Sequence, residues 1–219
     1  MKNLQKMGGI AALYSAAALL FAMVGFLLVL DTMGIVDPTQ QVASIVENQT
    51  FMHILYLITY VTWGIAMVPL ALALNERLKT GSPAIMQIAT AIGLIWACIV
   101  IASGQVTNMG MDTVVDLYSY DPTQAVTVWM AIDSVAQGLG SAGGEILGGT
   151  WVLLVSWAAL RGGGLSRALN YFGVLVGAVG LFSVVIGEPG TAIFGLVKIV
   201  WSLWLGIVML RKNPSAAMA

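Results

Sequence analysis

Charge is what this sequence most lacks. Only 9% of its residues are Asp, Glu, Lys or Arg and 59% are apolar, against about 25% and roughly 45–50% in an ordinary soluble domain. Nine basic and ten acidic residues cannot clothe a 23 kDa monomer in water, and a mean hydropathy of +0.92 makes lipid the main solvent. The net charge of −1 gives no basic footprint for nucleic acid, and so apolar a chain is no disordered tail. The single cysteine, Cys98, excludes an intramolecular disulfide, a CxxC redox pair and a cysteine zinc cluster. The single histidine, His53, cannot supply both axial ligands of a b-type haem and brings no companions for a metal. There is no GxSxG, HExxH or Walker loop, and no GxGxxG opening a strand–helix unit. No catalytic residues, cofactor or metal site are expected.

What the chain does have is long apolar runs. Crossing a hydrocarbon core of about 30 Å takes about 20 helical residues, and six runs qualify, at residues 8–30, 52–74, 84–105, 137–160, 168–187 and 190–210. They lack the alternation of barrel strands, so they predict an all-α, polytopic, single-domain bundle of six transmembrane helices. The first run is too long for a secretory signal, and no small-x-small site precedes Asp31, so it reads as a retained span.

Lys2, Lys6, Arg77, Lys79, Arg161, Arg167, Arg211 and Lys212 fall at the termini and in alternate loops. The other loops carry Asp31, Asp37, Glu47, Asp112, Asp116, Asp121, Asp133 and Glu188 and no base at all. By the positive-inside rule both termini are cytoplasmic. Asp-Pro-Thr-Gln occurs at residues 37–40 and again at 121–124. An N-capping carboxylate followed by Pro is a helix start. The fourth helix is therefore predicted to begin near Pro122 and to extend beyond the membrane on the outer side, while Val42, Ile45 and Val46 form an apolar face suited to lying on the outer leaflet.

Two charges remain inside the predicted spans, Glu145 and Lys198. A charge at bilayer depth costs on the order of 2.5–3.5 kcal/mol and normally has a partner. Counted from the basic ends of their helices, they lie about 22 Å and about 18 Å deep, less than a helical turn apart. Ser141 and Ser202 share their faces, in stripes of small and polar residues that run along the fourth and sixth helices. The residues support three readings: an ion pair that pins these helices together, a solute, proton or ion site, or a lysine that snorkels to the outer interface. Gly140, Gly144 and Gly148, with Gly173 and Gly177, have the small-xxx-small spacing of close helix packing. His53 stands at the outer mouth of the second span, either as a hydrogen-bonded interfacial residue or as a proton acceptor. The seven tryptophans are assigned to packing and anchoring, with a ligand box of Trp201 beside Lys198 as the lesser reading.

The runs EILGGTW (145–151), WAALR (157–161), GLSR (164–167), the glycines from Gly173 to Gly180 and the segment IVWSLWLGIVMLR (199–211) together resemble a bacterial family of six-helix integral membrane proteins, domain-of-unknown-function family 4386. From residue 145 onward the likeness is one of motif, and before it one of hydropathy. The resemblance implies a multi-pass protein of the bacterial inner membrane and transfers no catalytic residues. The reading reached is a non-enzymatic protein of the lipid bilayer, an accessory subunit for a membrane-protein partner or a second copy of itself. The alternative is a small transporter or channel using Glu145 and Lys198, and an intramembrane enzyme acting on a lipid or quinone ranks third. The charge asymmetry has a direct check: fluorescent protein fused at the C-terminus is expected to fluoresce, and alkaline phosphatase fused there to stay inactive. The opposite pair of results inverts the topology.

Overall fold

The computed structural model describes residues 2–29, 37–140 and 144–211, and among these the regular structure is all helix. α1 (Lys2–Val24) runs on into a π-turn at Gly25–Val29. α2 (Pro38–Tyr56) passes through a second π-turn, Leu57–Thr62, into α3 (Trp63–Leu78). There follow α4 (Pro83–Tyr118), α5 (Pro122–Gly140), α6 (Gly144–Gly162), α7 (Arg167–Ile186) and α8 (Glu188–Leu210). Six stretches are long and apolar enough to cross a membrane: Asn3–Leu27, Gln49–Leu78, Pro83–Tyr118, Pro122–Gly162 (taking in residues 141–143), Arg167–Ile186 and Pro189–Leu210.

Both Asp-Pro starts open helices. Asp37 accepts a hydrogen bond from the Thr39 amide, and Asp121 accepts one from the Gln124 amide, each 3.0 Å long. The carboxylates thereby satisfy amides that no helical carbonyl reaches. At the opposite end of the bundle the α3–α4 and α6–α7 turns meet backbone to backbone, because Gly81 and Gly162 lie so close that a side chain on either would overlap the other. Arg77 Nε donates to the Gly164 carbonyl at 2.8 Å, and Ser82 Oγ to that of Ala158 at 3.3 Å. Gly9 of α1 lies against Leu210 of α8 at this same end, which therefore collects Arg77, Lys79, Arg161 and Arg167.

Two apolar cores result. The larger joins α1, α3, α4, α6, α7 and α8 around Trp63, Trp96, Trp151 and Trp201. The smaller lies at the acidic end, where Val42, Ile45, Met52 and Leu55 pack against Met111 and Val114 of α4 and Ala125 and Trp129 of α5. α4 is the reason it exists. Its 36 residues span about 54 Å, well over the thickness of a hydrocarbon core, and its last turns carry the cap formed with α2 and α5.

Two expectations are corrected here. The third span does not stop near Gln105 but continues to Tyr118, because Met111 and Val114 bury one face while Asp112 and Asp116 keep to the other. Val42 and Ile45 are not laid on a leaflet; they are 0% and 3% exposed inside the cap. The segment from Pro122 opens as expected with α5, which packs along α4.

Met111 is fully buried in the cap. Met111→Ala is expected to cost about 2–5 kcal/mol, read as faster amide hydrogen exchange in α2, α5 and the end of α4 with the spanning core unchanged. A uniform change over all helices would merge the two cores into one cooperative unit.

Candidate functional site

Lys198 projects from α8 into the larger core and is 5% exposed. Its Nζ lies 4.2 Å from the ring centroid of Trp63 and 4.1 Å from that of Trp96, with Phe194, one turn earlier on its own helix, at 5.9 Å. The ammonium is thus held between two indoles from neighbouring helices. A desolvated cation–π contact is worth about 2 kcal/mol or more. Two of them match the roughly 2.5–3.5 kcal/mol that insertion of such a charge costs. Trp63 Nε1 has no hydrogen-bond partner among the described residues, so its indole is oriented by packing and by the cation and not by its own N–H.

The indoles form a continuous file. Trp63 and Trp96 are 4.9 Å apart at 72°, Trp96 and Trp151 6.1 Å at 47°, and Trp151 and Trp201 5.8 Å at 85°. Glycines make room for them: a Cβ at Gly148 would sit 2.5 Å from Trp96, and one at Gly93 2.5 Å from Trp151. Trp63 follows directly on the second π-turn. There Tyr14 of α1 donates to the Ile58 carbonyl at 3.0 Å and shares a hydrogen bond with Thr62. A widened turn disturbs the usual i to i−4 ladder, and in a bilayer another side chain must complete it.

Glu145, 7% exposed, lies close enough to act electrostatically on Lys198 but finds its partner elsewhere. Its Oε2 accepts from Thr191 Oγ1 of α8 at 2.8 Å. It stands near the start of the described part of α6. The ion pairs among the described residues are His53–Asp112 and Lys79–Glu76, with no direct Glu145–Lys198 contact. The acid therefore links α6 to α8 through Thr191, and the base links α8 to the α3–α4 hairpin.

The small and polar stripes of α6 and α8 meet at Glu145 and Thr191 and part farther along the two helices. Gly149 of α6 meets the backbone of Gly177 and Gly180 on α7, and Gly206 of α8 meets Leu13 and the Gly9 carbonyl of α1. Glycines follow the closest backbone crossings, and those crossings belong to α7 and α1. A Cβ at Gly140 would overlap Ser103, one at Gly173 would overlap Ser156, and one at Gly177 would meet Leu153; Gly144 opens α6. Ser202 is buried one turn beyond Lys198, and Ser141 lies outside the described residues. His53 Nε2 is hydrogen-bonded to Asp112 Oδ1 at 2.9 Å, and Gln49 donates to the same oxygen at 3.0 Å, tying α2 to α4. The cage residues Trp63 and Trp96 had no local signal in the sequence beyond their type. Trp201, the tryptophan nearest Lys198 in sequence, instead packs edge to face with Trp151.

A double-mutant cycle tests the cage. Trp96→Leu is expected to lower the thermal unfolding midpoint in detergent, and to lower it much less when Lys198→Met is already present, with a coupling of about 1–2 kcal/mol. Additive effects would show that the indole packs without holding the charge.

Comparison with known proteins adds one relation. No curated protein and no solved structure matches the chain. Residues 10–212 match the family model described as Domain of unknown function (DUF4386). With nearly its whole length matched, this multi-pass chain belongs to the DUF4386 family.

Proposed function

We propose that this protein is a non-enzymatic, multi-pass component of the bacterial inner membrane that serves as an accessory or partner-binding subunit, with both termini cytoplasmic and the α2–α4–α5 cap on the outer side. The enclosure of Lys198 carries this reading. Its ammonium lies between two indoles, and Glu145 is engaged by Thr191, so both intramembrane charges serve as braces between helices. The basic turns at one end and the acidic cap at the other support the orientation. The cap supports association, since it gives a protein made mainly of membrane spans a folded surface beyond the bilayer.

The second reading, a transporter or channel for a small solute, proton or ion with Glu145 and Lys198 at its site, is favoured by the absence of a direct carboxylate contact on Lys198 among the described residues. An intramembrane charge without a touching counter-charge is a functional position by default. Purification of the tagged protein from its native membranes in mild detergent separates the two. The accessory reading expects a membrane protein, or a second copy of the chain, to co-purify in fixed stoichiometry, and expects the pair Glu145→Leu, Lys198→Met to leave that complex intact. A lone monomer whose solute or proton flux in proteoliposomes is abolished by Lys198→Met overturns it.

A further inference from the structure

A second polar site lies nearer the acidic end than the lysine cage. Ser103 is seven residues beyond Trp96 on α4, about 10 Å along the axis. Here the end of α2, the second π-turn, α4 and α5 line a half-open cavity of about 10 Å³, with Tyr56, Tyr60, Ser103, Thr107, Asp133 and Gln137 in its wall. That is room for one water-sized species. Tyr56 and Tyr60 close it with rings 5.0 Å apart, and Gly104, against which Tyr60 packs, lets the ring approach α4.

The hydrogen bonds give the cavity a polarity. Ser103 Oγ donates to the Ala136 carbonyl at 2.8 Å, and Thr107 Oγ1 donates to the Ser103 carbonyl at 3.0 Å. Both hydroxyl protons are committed to the backbone, leaving oxygen lone pairs. Gln137 hydrogen-bonds through its side chain to Asp133. With the carboxylate as acceptor, the amide N–H is the donor, which leaves the amide oxygen for another partner. The site is thus rich in acceptors. The Tyr56 and Tyr60 hydroxyls in the same lining can donate as well as accept, and a cation placed among these oxygens serves all four acceptors at once.

Hard oxygen donors suit alkali and alkaline-earth ions. One carboxylate balances one positive charge, so a divalent ion would leave a net charge in a half-buried site, and the water-sized space takes one bare alkali ion, sodium included. Asp112, Asp116 and Asp121 in the same cap raise the local concentration of cations. We propose that this cavity binds a single monovalent cation of sodium's size, with Asp133 as the charged ligand and Ser103, Thr107 and Gln137 as neutral oxygen ligands. The site goes beyond the accessory role and is independent of it, since neither Lys198 nor a partner protein takes part.

Thermal unfolding of the full-length protein in detergent tests the proposal. NaCl is titrated against choline chloride at constant ionic strength, and ²²Na⁺ binding is measured directly on the same preparation. A saturable rise of the midpoint with Na⁺, absent with choline, is expected together with one bound Na⁺ per chain. Asp133→Asn is expected to weaken both responses at least tenfold, and Thr107→Val to weaken them to a smaller degree. Equal midpoints in the two salts, with no bound ²²Na⁺, would mean that the cavity holds only water and would overturn the proposal. So would an unchanged sodium response in Asp133→Asn or, if that variant does not fold, in Thr107→Val. Because the readout is ion binding, its failure leaves the co-purification result untouched.

Discussion

Lipid supplies neither water nor counter-ions, so a lysine in the interior of a membrane bundle must be solvated by the protein itself. Here aromatic faces do that work. Lys198 lies between Trp63 and Trp96, and much of the surrounding packing follows from the need to bring two large rings onto one ammonium. Gly148 must lack a side chain so that Trp96 fits, and Gly93 so that Trp151 fits behind it. Glu145 contributes its field at a distance while its own carboxylate is satisfied by Thr191. Acid and base thus form two separate ties that converge on α8, one from α6 and one from the α3–α4 hairpin. Three groups of helices are joined where a single ion pair would have joined two.

The protein also combines two kinds of core. In the spanning region the glycine crossings, Gly149 with Gly177 and Gly81 with Gly162, bring backbones into contact and gain dispersion contacts that lipid cannot match. In the cap, Val42, Ile45, Met111, Val114 and Trp129 bury ordinary aliphatic and aromatic surface, as a small soluble domain does. The polar cavity at Asp133 falls between the two, with hydroxyls from α4, rings from the end of α2 and the second π-turn, and the acid from α5. Such a boundary is where polar groups can be half buried without being stranded.

The six apolar helices and the two Asp-Pro starts were legible in the sequence because each rests on a local signal: a run length, or a capping carboxylate beside a proline. Lys198 was legible as an anomaly, a charge in an apolar run. Its neighbours were not. Trp63 and Trp96 come from other helices, and stripe-matching directed attention to Glu145, a residue of opposite sign at similar depth. Opposite sign is the simplest expectation for a partner, but an indole is equally able to hold a cation once water is excluded. The continuation of α4 to Tyr118 was missed for a related reason. Asp112 and Asp116 read as loop residues, and only the cap, built from distant α2 and α5, shows why Met111 and Val114 between them are buried. Asp112 in turn gave His53 a partner that the second span alone could not reveal.

The second π-turn, Leu57–Thr62, has a geometric consequence. One additional residue in a helix rotates everything beyond it by about 100° relative to what came before. Met52 and Leu55, ahead of the turn, address the cap, while Trp63 and Met67, beyond it, address the indole file. The widened turn is therefore a phase adjuster: it lets one unbroken rod present its greasy stripe in two directions. Straightened into a regular α-helix, the same residues would serve one half of the molecule and point the other half's contacts out among the acyl chains.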